Sequence, residues 1–409
     1  MMTKRVRLAY LVSHPIQYQA PLLRRIAEER EIELTVFFGS NFSVKGYQDE
    51  GFGVGVKWDV PLLEGYRHEF LPAIRDRGTV SVTTPLNRGI FERLRGRKGE
   101  PAFDVLWVHG YGTVNAMHGM LAAKALGIPV LLRAESWLKD RSRHAAKLIV
   151  KRGFFRILKG LVDGVLPIGS LNAAYWQYYF GAEIPQFPMP YAVDNGYFRM
   201  RSEEARARRA ELLKELGLDA GRPVILFASK LQARKRGKDL VAAYANLVQA
   251  GAVDGGLPPY LLIVGDGEER ARLEEQVREE GLEGVRFCGF RNQSELPRFF
   301  NLADVFVLPS EHEPWGLIVN EVMNAGCAVI VSDDAGCQPD LVTDGVEGCV
   351  FPVGDIRGLT NALQRVLRSP EIAREMGQRG MERIRSWDFE ADVRGLRTAI
   401  ESVTRGLRV

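Results

Sequence analysis

The sequence predicts an α/β protein with two doubly wound parallel-sheet domains in tandem. Short apolar runs rich in β-branched residues recur along the chain, and each is followed by a stretch with helical periodicity. Continuous apolar runs that alternate with helices are typical of parallel sheets covered on both faces. The scheme occurs once in each half, and 409 residues are enough for two or three domains.

Five strands are predicted in the first half, at 6–12, 32–38, 105–108, 130–132 and 165–168. Residues 39–101 are less regular and rich in glycine, so we expect loops and short strands there that shape one wall of a cleft. Five strands are predicted in the second half, at 224–228, 261–264, 285–288, 305–308 and 329–331.

The domain boundary is predicted near residues 188–199, where prolines and a glycine interrupt the pattern. A charged helix is predicted at 202–216, and the chain ends in a helical pattern at 389–403. We therefore predict domains at 1–195 and 196–385, followed by a C-terminal helical segment at 386–409.

Composition excludes several classes of protein. Lysine and arginine number 55 against 51 aspartate and glutamate, and a net charge of +4 is too small to indicate nucleic-acid binding. No run of 18 apolar residues predicts a membrane span, and the N-terminal apolar stretch is too short for a signal peptide. Four cysteines without CxxC spacing favour buried thiols in a reducing compartment, so we expect a cytoplasmic protein.

Two carboxylates follow the predicted strand 305–308. Parallel sheets bind ligands beyond the carboxyl ends of their strands. Glu313 and Glu321 are eight residues apart, at most ~12 Å along a helix. Between them, the N–H groups of Gly316, Leu317 and Ile318 at a helix start suit an anion. The spacing fits an anionic ligand with hydroxyls at both ends; the alternative is a solvated loop residue and an exposed helix residue.

Two lysines follow the predicted strand 224–228. Lys230 and Lys235 lie where a negative ligand would arrive, and cations there suit a diphosphate and the charge it gains as a leaving group. For Arg234 and Arg236 we favour a solvated basic turn.

In the first half, polar residues also follow predicted strands. His14 and Gln17 come after the first strand, and His109 ends the third beside glycines that allow a close backbone approach. Arg133 and Glu135 end the next strand. A structural role for His109 stays as open as a functional one.

Charge is concentrated in residues 139–161. Eight basic residues stand against Asp140 alone: Lys139, Arg141, Arg143, Lys147, Lys151, Arg152, Arg156 and Lys159. At helical spacing an apolar stripe of Val150, Phe154, Ile157 and Leu161 lies opposite Arg152, Arg156 and Lys159. The segment is either a helix that rests on an anionic membrane or one with an apolar face in the core and a solvated basic back.

Residues 224–353 resemble the donor-binding domain of retaining glycosyltransferases of family 4, which have the GT-B fold. The similar stretches are LFASKLQARKRGKDLVAAY, LLIVGDGEER, VRFCGF, LADVFVLPSEHEPWGLIVNEVMNAGCAVIVSD and GVEGCVFPVGD. Glu313 to Glu321 match the family's E-x7-E motif, PYAVDNGYF its domain crossover and RSWDFEADV its final helix. The resemblance implies two Rossmann-like domains facing across a cleft, 1–195 on the acceptor side and 196–385 for the donor, with 386–409 returning to the first domain.

The resemblance also implies roles for residues. Glu313 would bind the donor sugar's hydroxyls, Glu321 the ribose and Lys235 the phosphate, while His109 would lie beside the reacting sugar. Catalytic residues would then be His109 and Glu313. The donor-binding set would comprise Lys230, Lys235, Phe290, Arg291, Trp315, Gly316, Leu317, Ile318 and Glu321. The acceptor-side set would comprise His14, Gln17, Arg133 and Glu135.

Two positions depart from the family pattern. Lys230 stands where the family usually has arginine, which keeps the charge but loses the bidentate fork. The first loop has His14-Pro15-Ile16-Gln17 in place of a common Gly-Gly pair, so this loop is a candidate acceptor contact.

The implied activity is retaining sugar transfer without a metal or resident cofactor. The donor would be a nucleotide diphosphate sugar, with UDP-sugar favoured and GDP-mannose as the alternative. The acceptor would be a glycan, a lipid-linked or a small molecule, in surface polysaccharide synthesis. Alternative functions are a nucleotide-sugar epimerase of the same fold or a non-catalytic sugar-nucleotide binder. An NAD enzyme is disfavoured because Arg270 replaces the third glycine after Gly265-Asp266-Gly267.

Overall fold

A computed structural model describes residues 5–49, 51–96, 101–139, 145–251 and 257–405. The chain divides into two compact units. The first comprises Met1–Tyr47, Val60–Tyr191 and Phe389–Val409, and the second comprises Gln48–Asp59 and Ala192–Asp388. Residues 48–59 therefore belong to the second unit although the chain on either side of them belongs to the first.

The strands follow the chain in this order: β1 (Val6–Val12), β2 (Ile32–Phe38), β3 (Tyr47–Asp49), β4 (Val54–Val56), β5 (Arg67–Phe70), β6 (Ala73–Arg75), β7 (Leu86–Asn87), β8 (Val105–His109), β9 (Val130–Arg133), β10 (Gly164–Val165), β11 (Val224–Ala228), β12 (Tyr260–Val264), β13 (Val285–Gly289), β14 (Val305–Leu308), β15 (Ala328–Ser332) and β16 (Gly348–Phe351).

The α-helices are α1 (Ala20–Ala27), α2 (Phe42–Lys45), α3 (Ile90–Arg95), α4 (Val114–Ala125), α5 (Ala145–Lys159), α6 (Ser170–Phe180), α7 (Asn195–Ala207), α8 (Arg209–Leu216), α9 (Gly237–Gln249), α10 (Arg270–Glu279), α11 (Leu296–Leu302), α12 (Leu317–Met323), α13 (Gln338–Leu341), α14 (Ile356–Leu367), α15 (Pro370–Ile384) and α16 (Phe389–Thr404).

Each unit is built on a six-stranded parallel sheet. The strand order is β10-β9-β8-β1-β2-β5 in the first unit and β13-β12-β11-β14-β15-β16 in the second. The predicted fold class of two doubly wound parallel sheets is confirmed. The irregular 39–101 region, where loops and short strands were predicted, supplies β5 as an edge strand of the first sheet. β10 is shorter than the predicted 165–168, and β16 at the edge of the second sheet was not predicted.

Both faces of the first sheet are buried, as continuous apolar strands require. Along β1, Leu8 and Tyr10 pack into one apolar cluster, whereas Ala9 and Leu11 pack into another on the opposite face. Leu396 of α16 packs into the first of these clusters. The C-terminal helix is thus part of the first unit's core.

The charged stretch after the boundary forms two helices where the sequence predicted one. Helix α7 begins at Asn195, because the Asp194 side chain accepts a hydrogen bond from the Tyr197 N–H (2.9 Å) and caps the helix. Arg208, with φ −109° and ψ 13°, leaves helical geometry and separates α7 from α8.

Candidate active site

In both parallel sheets the strand order reverses at a point where predicted site residues follow the strands. In the first sheet the order reverses between β1 and β8, and in the second between β11 and β14. Ligands of open α/β sheets bind at such switch points, beyond the carboxyl ends of the strands. The lysines after β11 and Glu313 after β14 lie at the second unit's switch point. His14 after β1 and His109 at the end of β8 lie at the first unit's.

Lys235 and Glu313 form a buried ion pair in the second unit. The Lys235 ammonium donates to Glu313 Oε2, and Arg234 Nη1 lies 3.8 Å from the same oxygen. Burial lowers the pKa of Lys235, and the Glu313 carboxylate opposes that shift. The pair places a cation and a carboxylate side by side at the switch point.

The loop after Glu313 turns through Gly316 into α12. Gly316 has φ 95°, and a Cβ there would lie 2.7 Å from Leu308 Cδ2, so glycine is required on both grounds. The helix begins at Leu317, after a residue that has no side chain to cap it, and Leu317 and Ile318 are half-buried. Trp315 is buried, and its indole N–H donates to Asn320 Oδ1 (2.9 Å).

Glu321 lies one turn into α12 and is half-buried. Burial raises the pKa of its carboxyl from 4.5 to about 8. A protonated carboxyl can both donate and accept hydrogen bonds, so this side chain is suited to bind the hydroxyl groups of a ligand.

Lys230 is held by Asp49 from the 48–59 segment. Its ammonium donates to both Asp49 oxygens at 2.8 Å and lies 4.8 Å from the centre of the Phe52 ring. Phe52 in turn packs edge-on against Phe290, with ring centres 4.8 Å apart. The 48–59 segment therefore contacts two predicted donor-site residues.

The remaining basic residues of this region are engaged locally. Arg291 donates to the Cys288 carbonyl (3.0 Å) and to Glu295 (3.2 Å). Arg236 is half-buried and forms ion pairs with Asp239 at 2.6 Å and with Glu311 at 3.0 Å. The prediction that Arg236 lies in a solvated basic turn is therefore wrong.

In the first unit, His109 and Glu135 lie together. His109 Nε2 is 3.8 Å from Glu135 Oε1 and accepts from Gln19 Nε2 at 3.0 Å. Gln19 is fixed from its other side, because its Oε1 accepts from the Tyr10 hydroxyl at 2.7 Å. These contacts join the carboxyl ends of β1, β8 and β9.

Two tyrosines hold Glu135 through one oxygen. Tyr18 donates to Oε1 at 2.8 Å, and Tyr191 donates to the same atom. Burial acts to raise the pKa of Glu135, but His109 and the two hydroxyls outweigh it and lower the pKa to about 2. Glu135 is therefore ionised at neutral pH.

A cavity of about 280 Å³ opens beside this cluster in the first unit. Its polar lining consists of Ser13, Tyr18, His109, Thr113, Asn115 and Glu135. His14 lies next to it on the chain, half-buried against Phe42, and burial lowers the pKa of its imidazole to about 4. Gln17 is half-buried in the same loop.

Arg133 points into the interior. It is 1% exposed, and its guanidinium pairs with Asp392 of α16 at 3.0 Å and donates to the Met189 carbonyl at 2.9 Å. The structure thus separates it from Glu135, with which the sequence grouped it.

Sequence reasoning missed Asp49, Tyr18, Gln19 and Tyr191. Tyr18 and Gln19 share the signal that identified His14 and Gln17, since they follow the first strand. Asp49 and Tyr191 lie far along the chain from their partners and carry no local signal.

Helix α5 leaves apolar side chains exposed. Ile149, Val150 and Ile157 are 71%, 74% and 67% exposed, whereas Phe155 and Leu158 are buried. Of the predicted apolar stripe, Phe154 and Leu161 pack against the core of the first unit, whereas Val150 and Ile157 do not. The interpretation that the whole stripe faces the core therefore holds for only half of it. Arg141 and Arg143, and the side chain of Lys147, lie outside the described residues.

Among the described residues, no helix is long and apolar enough to cross a membrane. The same residues contain no group of three or more His, Cys, Asp or Glu side chains that could hold a metal ion. All four cysteines are buried free thiols.

Comparison with known proteins identifies the family. A family model described as "Glycosyl transferases group 1" matches residues 208–383. The 2-deoxystreptamine glucosyltransferase of Streptomyces kanamyceticus is 30% identical over 315 residues, which cover 73% of this chain and 78% of that protein. The chain belongs to the group 1 glycosyltransferases.

Two further matches place this group 1 glycosyltransferase among its relatives. Alpha-D-kanosaminyltransferase of Streptomyces kanamyceticus is 30% identical over 44% of this chain, and the match spans less than half of that protein, 45%. The solved structure of Anabaena Alr3699/HepE in complex with UDP has a TM-score of 0.72 at 17% identity, covering 97% of this chain and 100% of that one. The shared fold is that of GT-B glycosyltransferases.

Proposed function

We propose that this glycosyltransferase is a retaining, metal-independent member of family 4. It transfers a hexose from a nucleotide diphosphate sugar, with UDP-sugar favoured over GDP-mannose. The acceptor is a glycan, a lipid-linked or a small molecule, and the product contributes to surface polysaccharide or lipid-linked glycan at the cytoplasmic face of the membrane.

The buried Lys235–Glu313 pair is the observation that carries this proposal. A diphosphate that leaves a sugar gains negative charge, and a preorganised cation at that position stabilises it. In the proposed complex Lys235 turns to the diphosphate, and Glu313, released from the pair, accepts hydrogen bonds from the donor sugar's hydroxyls. Glu321, one turn into α12, binds the ribose hydroxyls.

In this scheme the acceptor attacks the anomeric carbon from the face that the diphosphate leaves, so the anomeric configuration is retained. The bond from the anomeric carbon to the diphosphate oxygen breaks, the bond to the acceptor oxygen forms, and the departing phosphate takes the acceptor's proton. Lys230 and Lys235 bear the charge that develops. The catalytic role of His109 that the family resemblance implies is part of this proposal.

Calorimetric titration of the full chain with UDP and with GDP, each with EDTA, tests the donor class. Binding of one nucleotide with micromolar affinity supports the proposal and its metal independence; binding of neither contradicts it. NMR of the anomeric proton in the transfer product then distinguishes retention from inversion. Conversion of the donor to an epimer, or binding without turnover, would favour the two alternative functions.

We also infer that α5 contacts an anionic membrane surface. Its exposed isoleucines and Val150 lie beside the exposed cations Arg152 and Arg156, which complement acidic lipid headgroups.

A further inference from the structure

The cavity in the first unit has an unusual balance of charge. Among the described residues that line it, none is a lysine or an arginine, and Glu135 is the one carboxylate. His109 is the one histidine among these described lining residues. The hydroxyl and amide groups of Ser13, Thr113 and Asn115 are neutral.

Glu135 presents one oxygen that its neighbours leave free. Oε1 accepts from Tyr18 and Tyr191 and faces His109, whereas Oε2 contacts no hydrogen-bond donor among the described residues. The side chain is 36% exposed. The two tyrosines therefore fix the carboxylate and leave its second oxygen available to a bound molecule.

The nearby cation does not neutralise Glu135. Arg133 stacks on the Tyr191 ring at 4.8 Å, but its charge is matched by Asp392, which is fully buried with it. The two hydroxyls and the His109 imidazole all meet the carboxylate at Oε1, so Oε2 keeps its attraction for a cation. A phosphate in the same cavity would meet the like charge of Glu135 and neither a lysine nor an arginine among the described lining residues.

From these contacts we propose that the cavity takes an acceptor that carries a protonated amine next to its hydroxyls, such as an amino sugar or an aminocyclitol. The ammonium pairs with Glu135 Oε2, and the acceptor's hydroxyls meet the neutral polar lining. Glu135 is then a specificity-determining residue that selects against phosphorylated acceptors. This inference rests on the proposed sugar transfer and assigns its acceptor class.

The test compares matched probes on the full chain saturated with the nucleotide that binds it. Glucosamine, glucose and glucose 6-phosphate form one series, and 2-deoxystreptamine, myo-inositol and an inositol phosphate form a second. Affinities are measured by calorimetry, so the result does not depend on turnover. We expect the amine in at least one series to bind about tenfold more tightly than its neutral match, and the phosphate to bind most weakly. A phosphate that binds most tightly, or amines that bind no better than neutral probes, including no binding at all, would overturn the inference.

Replacement of Glu135 identifies the group responsible. Glu135→Gln should abolish the preference for the amine and leave nucleotide affinity unchanged, and a melting curve verifies folding. Glu28→Gln, an exposed glutamate at the end of α1, removes the same charge from the same unit and should keep the preference. An amine preference that survives Glu135→Gln overturns the inference while the proposed function stands. Loss of nucleotide binding by the unaltered chain would contradict the proposed function itself.

Discussion

Asp49 and Lys230, 181 residues apart in the chain, form an ion pair in the second unit in which the ammonium binds both carboxylate oxygens. Asp49 Oδ1 also accepts from the N–H groups of Gly51 and Phe52, at 2.9 and 3.0 Å, which fixes the turn that carries it. The Asp49 carboxylate thus already binds the Lys230 ammonium, which we propose as a ligand of the donor diphosphate. A diphosphate must displace Asp49 before it can pair with Lys230.

Asp49→Asn should therefore strengthen UDP binding about three- to tenfold. The amide oxygen can still accept from both N–H groups of the turn, so the segment keeps its shape while the competing charge is lost. Calorimetry at low and moderate salt measures the effect. Asp59→Asn is the matched control, since Asp59 lies in the same segment but contacts Ser294 and, within the described part of the chain, no lysine. Equal or weaker UDP binding by Asp49→Asn would show that Asp49 does not compete with the ligand.

The Glu313 carboxylate should matter more for turnover than for nucleotide affinity. Glu313→Gln removes the negative charge of the group that we propose accepts hydrogen bonds from the donor sugar's hydroxyls. We expect kcat to fall by a factor of about 100 or more. UDP carries no hexose, so its affinity should not fall; loss of the carboxylate that holds Lys235 should raise it, by up to about tenfold. Steady-state kinetics and calorimetry on the same preparation measure both. Near-normal turnover would remove Glu313 from the site.

The sequence predicts the parts of the site that depend on strand order. Lys235 and Glu313 each follow a strand, and β11 and β14 are neighbours at the switch point, so local signals were enough to bring them together. Asp49 was missed because its contact with Lys230 depends on how a distant, irregular segment packs. Arg133 was misplaced because its strand-end position does not reveal that Asp392 of α16 draws it inward. The apolar stripe of α5 was recognised, but periodicity alone does not decide which face is covered.

The Lys235–Glu313 pair should be strongly coupled in stability. Lys235→Met leaves Glu313 buried without its closest partner, and we expect the free energy of unfolding to fall by about 3 kcal/mol. The double variant Lys235→Met/Glu313→Gln leaves no unpaired charge, so its loss should be smaller than the sum of the single losses. Urea unfolding of the four proteins closes the double-mutant cycle. Strictly additive losses would mean that the two charges do not interact.

Glu321 should make stability depend on pH. Because burial raises its pKa from 4.5 to about 8, the folded protein keeps a proton that the unfolded chain releases between these values. Its contribution to stability is therefore fully present below pH 4.5 and is lost as pH rises through 8.

Relative to wild type, Glu321→Gln should gain about 1 kcal/mol per pH unit across this window. Urea unfolding at pH 5, 6.5 and 8 measures the difference, with Glu268→Gln as an exposed control. A difference between wild type and Glu321→Gln that does not change with pH would place the Glu321 carboxyl in contact with water.

The exposed face of α5 should determine membrane binding. We expect the protein to cosediment with vesicles that contain about 30% anionic lipid and not with neutral ones, because Arg152 and Arg156 supply the attraction. Val150→Ser/Ile157→Ser removes two side chains that would enter the headgroup region, and binding should fall about tenfold. Leu121→Ser removes a 54% exposed leucine from α4 of the same unit and should leave binding unchanged. Equal binding by the three proteins would exclude α5 as the contact, and binding that is insensitive to anionic lipid would exclude the electrostatic part of the argument.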